Sequence, residues 1–323
     1  MSKPAVLVFA QSPSNAVMTQ LELQFECHHV WQYPAAQQSS MIEAVAPRIR
    51  AVWTVGPIGL DAGLIARLPR LEVVVVNSVG VDKVDLPARA ARGIQVSYTP
   101  GVLTDDVADL AVLLLLSAQR RLPAMDAYVR RGDWARGVRL QPAHALRGKT
   151  AGIFGYGRIG QAIAARLRPF GMEIAYFQPR AIAGADAPRA ASLLALAERS
   201  DCLILCAPST PATRYSVDGE VLSALGPQGV LVNIARGALV DESALVAALA
   251  DGRLGAAALD VFEDEPRVPA ALFDLPNTVL TPHIGSLTVE TRHAMGQLTL
   301  DNLCAHFAGL DLLTPFKAGG TGA

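Results

Sequence analysis

Four separated pieces of this chain combine residue types suited to chemistry: Gly155-Tyr156-Gly157-Arg158-Ile159-Gly160, Asn233-Ile234-Ala235-Arg236-Gly237, Asp260-Val261-Phe262-Glu263-Asp264-Glu265-Pro266 and Thr281-Pro282-His283-Ile284-Gly285. Each follows an apolar run of strand character. A glycine loop followed by an arginine, a carboxylate and a histidine can move a hydride and a proton onto a carbonyl beside a carboxylate.

The G-x-G-x-x-G run gains meaning from its context, directly after an apolar strand at 151–154 and opening a helix. Gly155 permits the tight turn, Gly157 lets backbone approach a pyrophosphate at the helix N-terminus, and Gly160 lets helix and strand pack closely. About 20 residues on, a site for NAD places Asp or Glu against the ribose 2′-hydroxyl. This chain has Tyr176-Phe177-Gln178-Pro179-Arg180 there. With no carboxylate present, Arg180 either pairs a 2′-phosphate or is a solvated loop cation.

Arg236 ends an apolar strand at 230–234, on the sheet edge where open α/β sheets bind ligands. Its planar fork suits a 2-oxo carboxylate and the adjacent carbonyl. His283 follows a strand at 278–281 and is framed by Pro282 and Gly285, whereas His28, His29, His144, His293 and His306 fall in helical or loop contexts. An imidazole there suits a proton donor in reduction and an acceptor in oxidation. Glu265 could orient that ring and favour its protonated form; alternatively Glu263, Asp264 and Glu265 are all simply solvated.

These groups need a scaffold that brings strand ends together. Beyond residue 150, strand-like runs at 151–154, 173–177, 202–207, 230–234, 256–261 and 278–281 alternate with helical runs at 159–170, 190–199 and 242–250. Continuous apolar strands with amphipathic helices between them predict a parallel sheet covered on both faces. Shorter runs at 5–9, 51–55, 73–77 and 94–97 predict a second, smaller α/β unit. Residues 289–307 have helical periodicity and could pack back on that unit, while the Gly-rich end 318–323 is predicted to fray. Thr104 is a candidate N-cap for a long helix running to about Arg121. Hinges are expected near 99–106 and 286–291, with a cleft that shuts substrate away from water.

The 323 residues, 51% hydrophobic and 18% charged with a formal charge of -1, describe a globular chain of about two domains and give no electrostatic footprint for nucleic acid or a membrane surface. The most apolar segment, 110–118, is far below the roughly 20 residues of a spanning helix. Cys27, Cys202, Cys206 and Cys304 form no C-x-x-C pair, so neither a metal site nor a disulfide framework is predicted. A reducing, cytoplasmic setting follows from that reading.

Taken together, the motifs resemble the D-isomer-specific 2-hydroxyacid dehydrogenase family, nearest its glyoxylate/hydroxypyruvate reductase and hydroxyphenylpyruvate reductase branch. Further matches are Ser78-Val79-Gly80-Val81-Asp82, the run from Thr99-Pro100-Gly101 through Thr104-Asp105-Asp106, and Ala207-Pro208-Ser209-Thr210-Pro211-Ala212-Thr213. The resemblance implies two doubly wound parallel-sheet α/β domains, a Rossmann cofactor domain (100–287) inserted into a smaller flavodoxin-like substrate domain (1–99 and 288–323). It implies catalytic roles for Arg236, Glu265 and His283, and a second grip on the substrate carboxylate from the backbone of Val79 and Gly80. Cofactor contacts are implied for Thr104, Gly155, Gly157, Arg158, Ile159, Gly160, Gln178, Arg180, Ala207, Pro208, Thr213, Ile234, Asp260, His283 and Gly285. The expected enzyme is a homodimeric reductase of glyoxylate or hydroxypyruvate that prefers NADPH, with NADH as the other candidate. Alternatives are a reductase of hydroxyphenylpyruvate or 2-ketogluconate, formate or phosphite oxidation on a related scaffold, and a nicotinamide-sensing corepressor. The corepressors carry extra polar or disordered tails for partner binding, whereas a short Gly-rich end is expected here.

Overall fold

A computed structural model describes residues 3–12 and 14–317; the predicted frayed end 318–323 lies outside the described residues. The chain divides into two compact units, one running to Leu103 and resuming at Ser286, the other spanning Thr104–Gly285.

The first unit contains β1 (Ala5–Val8), α1 (Asn15–Gln24), β2 (Glu26–His29), α2 (Ala35–Val45), β3 (Ile49–Thr54), α3 (Ala62–Arg67), β4 (Val73–Val76), α4 (Leu86–Ala91) and β5 (Gln95–Ser97). Its parallel sheet has the order β2-β1-β3-β4-β5, a flavodoxin-like arrangement. Side chains alternate across it. Leu7, Val52, Val74 and Val76 pack with Ile42, Val45 and Ile65, whereas Val6, Val8, Ala51, Trp53, Val73 and Val75 meet Val17 and Leu21 together with Leu300 and Leu303 of the C-terminal helix Val289–Phe307. Both faces are apolar because both are covered.

One expectation is corrected here: His28 and His29 sit on β2, not in a helix or loop. Glu26-Cys27-His28-His29 has no apolar period to reveal a strand, and pairing to β1 at the sheet edge supplies the structure instead.

The second unit begins with α5 (Thr104–Gln119) and α6 (Leu122–Arg130), then runs β6 (Thr150–Phe154), α7 (Arg158–Leu167), β7 (Glu173–Phe177), α8 (Leu193–Glu198), β8 (Cys202–Leu205), α9 (Gly219–Leu225), β9 (Val230–Asn233), α10 (Glu242–Ala250), β10 (Ala256–Leu259) and β11 (Thr278–Leu280). Thr104 is the first helical residue of α5 rather than its cap, and α6 is an element with no counterpart in the sequence reading. The parallel sheet has the order β11-β10-β9-β8-β6-β7. After β6 the chain turns one way to β7 and then back to β8 on the other side, so the switch point lies at the carboxyl ends of β6 and β8. Ile234, Val261 and Thr281, expected as strand residues, fall just past β9, β10 and β11. The chemical groups therefore stand on loops held by strand ends.

Candidate active site

At the switch point, Gly155 adopts φ +91°, and a Cβ there would lie 2.7 Å from the backbone nitrogen of Ala207 just beyond β8. A Cβ on Gly160 would overlap the carbonyl oxygen of Gly155. Only glycine lets these three segments close on one another. Gly157 caps α7 without a side-chain hydrogen bond, so its first N–H groups meet no side-chain acceptor from the cap. An uncapped helix N-terminus behind a side-chain-free turn fits the pyrophosphate of a dinucleotide.

Gln178 closes the neighbouring turn from within. Its Oε1 accepts the Tyr156 N–H at 3.0 Å, and its Nε2 donates to the Arg180 carbonyl at 2.8 Å. Arg189, which sequence reasoning missed, donates to the carbonyls of Gln178 (2.9 Å) and Pro179 (3.0 Å). The Arg180 side chain is exposed at the rim of this turn, as is Arg158 at the start of α7. After β8, the Thr213 hydroxyl accepts from Thr210 N–H and donates to the Pro208 carbonyl, each at 2.8 Å.

The backbone of Arg236 is fixed by the last residue of β9. The enclosed Asn233 accepts the Ala235 N–H at 3.0 Å and donates to the Arg236 carbonyl at 2.9 Å. Gly237 then starts a 3-10 turn (Gly237–Leu239), where a Cβ would overlap the backbone of Phe262. The arginine loop and the carboxylate loop thus pack backbone against backbone.

Glu265 Oε2 lies 2.7 Å from His283 Nδ1. With a carboxylate as acceptor, Nδ1 carries the hydrogen and Nε2 is left for other partners. Glu265 Oε1 accepts the Phe262 N–H at 3.1 Å. The same loop is held further along, since Glu263 N–H donates to Glu242 (2.8 Å) and the Glu263 carboxylate accepts from Arg214 (2.8 Å) and from the Tyr215 hydroxyl.

His283 itself adopts a left-handed conformation, φ +54°, which costs energy in a residue with a Cβ. Asp260 offsets that cost. Its carbonyl accepts the His283 N–H (2.9 Å), and its buried carboxylate accepts from Ile284 N–H (2.8 Å), Gly285 N–H (2.9 Å) and the Thr281 hydroxyl (2.7 Å). Burial nevertheless dominates and raises the Asp260 pKa above the ordinary 3.8.

Residues 112–285 match the family model for the D-isomer specific 2-hydroxyacid dehydrogenase NAD binding domain. Over 312 residues the chain is 47% identical to a hydroxyphenylpyruvate reductase of Plectranthus scutellarioides, covering 96% of this chain and 99% of that one. The chain belongs to the D-isomer specific 2-hydroxyacid dehydrogenase family. A glyoxylate/hydroxypyruvate reductase A of Arabidopsis thaliana is 47% identical over 302 residues, with 94% and 96% of the two chains covered. Among solved structures, the NADPH-dependent glyoxylate/hydroxypyruvate reductase of Sinorhizobium meliloti in complex with NADP and malonate superposes with a TM-score of 0.88 at 41% identity, covering 98% and 97%. This dehydrogenase is an NAD(P)-dependent oxidoreductase.

The dehydrogenase thus gathers Gly155, Gly157, Gly160, Gln178, Ala207, Arg236, Asp260, Glu265, His283 and Gly285 at one edge of its six-stranded sheet. In the other unit, the loop at 78–81 is pinned by Ser78, whose carbonyl accepts from Thr99 N–H (2.9 Å) and whose hydroxyl accepts from Gly80 N–H (3.2 Å). The Gly80 donor, expected to face substrate, is engaged inside its own loop. Among the described residues, no cluster of three or more His, Cys, Asp or Glu could hold a metal, and no helix is long and apolar enough to cross a membrane.

Proposed function

We propose that this dehydrogenase is a cytoplasmic homodimer that reduces small 2-oxo acids, glyoxylate or hydroxypyruvate, with NADPH as the preferred reductant. The observation that carries the reading is the 2.7 Å pairing of His283 Nδ1 with Glu265, which leaves Nε2 as the proton donor to a carbonyl oxygen. When bound, the dinucleotide supplies the hydride. Arg236 binds the substrate carboxylate and polarises the carbonyl beside it. Glu265 fixes the ring and its Nδ1–H tautomer. Asp260 holds the turn that presents His283. By family resemblance, the backbone of Val79 and Gly80 gives the carboxylate a second hold, for which the Gly80 N–H must exchange Ser78 Oγ for substrate, and Thr104, Arg158, Ile159, Thr213 and Ile234 contribute to the cofactor site. The two units take the roles of substrate domain (1–99 and 288–323) and cofactor domain (100–287).

The preference for NADPH rests on the turn at 178–180. Gln178 presents no charge against a 2′-phosphate, and its amide is spent on the turn. Arg180, at the rim, can add a charge-assisted hydrogen bond worth roughly 1.5–3 kcal/mol, about one to two powers of ten in preference. A panel of 2-oxo acids assayed with each cofactor should give higher kcat/KM with NADPH, and Gln178→Asp should reverse the order. A wild-type enzyme that strongly prefers NADH would overturn the cofactor reading; one that reduces no 2-oxo acid would overturn the function.

A second reading is reduction of a larger 2-oxo acid. The 47% identity to hydroxyphenylpyruvate reductase favours it as much as the equal identity to the glyoxylate/hydroxypyruvate enzyme favours the first. The same panel separates them by their kcat/KM order.

A further inference from the structure

The turn at 178–180 is the near end of a longer loop, 178–189, between β7 and α8. Loops at a sheet rim are ordinarily the mobile parts of a fold, yet this one is tied down along its length. Its far end returns to β7, where Tyr176 N–H donates to the Pro188 carbonyl at 3.0 Å and Ala190 N–H to the Tyr176 carbonyl at 2.7 Å. Nearer its middle, Ile182 N–H donates to the Tyr176 hydroxyl at 3.3 Å. Two exposed arginines stand on the stretch so held, Arg180 at the turn and Arg189, whose guanidinium bridges the carbonyls of Gln178 and Pro179.

The remaining tie comes from outside the loop. Tyr156, between the first two glycines of the cradle, is almost fully enclosed and stacks on Tyr176, with ring centroids 4.6 Å apart and planes 17° from parallel. Its hydroxyl donates to the Asp186 carboxylate at 2.7 Å. Arg168, just past α7, donates to the same carboxylate at 2.9 Å, to the Asp186 carbonyl at 3.2 Å and to the Tyr156 hydroxyl at 3.4 Å. The bond from Tyr156 is the chief cause that holds the Asp186 carboxyl below the ordinary 3.8, so it is ionised at neutral pH. A pyrophosphate at a helix N-terminus is met by backbone N–H groups and needs no tyrosine at position 156. A stacked ring whose hydroxyl reaches the next loop has a different use: it joins the cradle to the loop that meets the ribose. A loop ordered in advance binds a phosphate without first giving up the freedom of its arginines.

We propose that Tyr156, Asp186 and Arg168 form a latch that sets the preference for NADPH over NADH by holding Arg180 and Arg189 in place for the 2′-phosphate. The three latch members are positioning residues. The latch rests on the reading of the turn at 178–180 as the 2′-phosphate site.

The test measures dissociation constants for NADPH and NADH, from the fluorescence of the reduced nicotinamide, in wild type, Asp186→Ala, Arg168→Met and Tyr156→Phe. Asp186→Ala and Arg168→Met should each weaken NADPH by about three- to tenfold and leave NADH within about twofold, the effect of one charge-assisted bond discounted for exposure. Tyr156→Phe keeps the stacked ring, removes only the hydroxyl, and should weaken NADPH to a similar degree. Combined with Asp186→Ala it should add little, because the two act as one unit. Amide exchange across 180–187 should be faster in each free variant than in wild type. Equal weakening of both cofactors would mark a general structural role and overturn the proposal, as would unchanged NADPH affinity in all three variants. If wild type itself binds NADH more tightly, the cofactor reading fails; the latch then stands or falls on whether its variants weaken NADPH more than NADH.

Discussion

Glu265 is pulled in two directions. Partial burial pushes its carboxyl up, but the hydrogen bonds from His283 and the Phe262 N–H, with the nearby charges of His283 and Arg236, hold it below the ordinary 4.5. A carboxyl depressed in the folded state adds stability that is fully present above its unfolded value and is lost as pH falls through its folded one. Glu265→Gln should therefore be less stable than wild type in urea at pH 7, with the gap closing below the ordinary carboxylate range. Urea midpoints at pH 7 and pH 3 check this, and a gap independent of pH would mean that the carboxylate contributes packing alone. Asp260 has the opposite balance, with burial outweighing three hydrogen bonds. The two acids beside His283 are thus tuned apart, the ionised one to hold the ring and the buried one to shape its turn.

The loops that follow β9 and β10 act as one piece. Gly237 leaves no room for a Cβ against Phe262, so Gly237→Ala must push the arginine loop and the Glu265 loop apart. We expect it to cost at least about 1–3 kcal/mol, as overpacking does, and to lower kcat/KM for 2-oxo acids while KM for the dinucleotide changes little. Denaturant unfolding and steady-state kinetics read the two effects separately, and wild-type values in both would show that the loops can part freely. Much of this arrangement was legible beforehand, because few residue types can do the work at a strand end: a glycine turn, an arginine fork, an imidazole. Their supports were not legible. Asn233 looked like an ordinary end to an apolar run, and Arg214 and Tyr215 reach Glu263 across 49 and 48 residues, a meeting that exists only once β8, β9 and β10 are side by side.

Alternation of strands and helices revealed both parallel sheets, though not β2, whose residues carry no apolar period, nor α6 and α9. Family resemblance leads us to expect a homodimer formed through the second unit, and apolar side chains on its surface support that. Leu113 on α5 is 54% exposed and Trp134, beyond α6, is 72% exposed. Leu113→Asp should then yield monomers in sedimentation experiments, where wild type sediments at twice the chain mass; equal masses would exclude this face.

The first unit draws its covering helix from the far end of the chain, and this matters while the protein is being made. The row Val6, Val8, Ala51, Trp53, Val73 and Val75 is complete once β4 has left the ribosome, yet Leu300 and Leu303, which cover part of it, come more than two hundred residues later. At about 5–20 residues per second, that face waits on the order of ten to forty seconds for its lid. The second unit can close in the meantime, because all its strands precede the helix. Nascent chains should accordingly gain their dinucleotide cradle before their N-terminal sheet is fully sheltered, and it is the N-terminal sheet that would need guarding during synthesis.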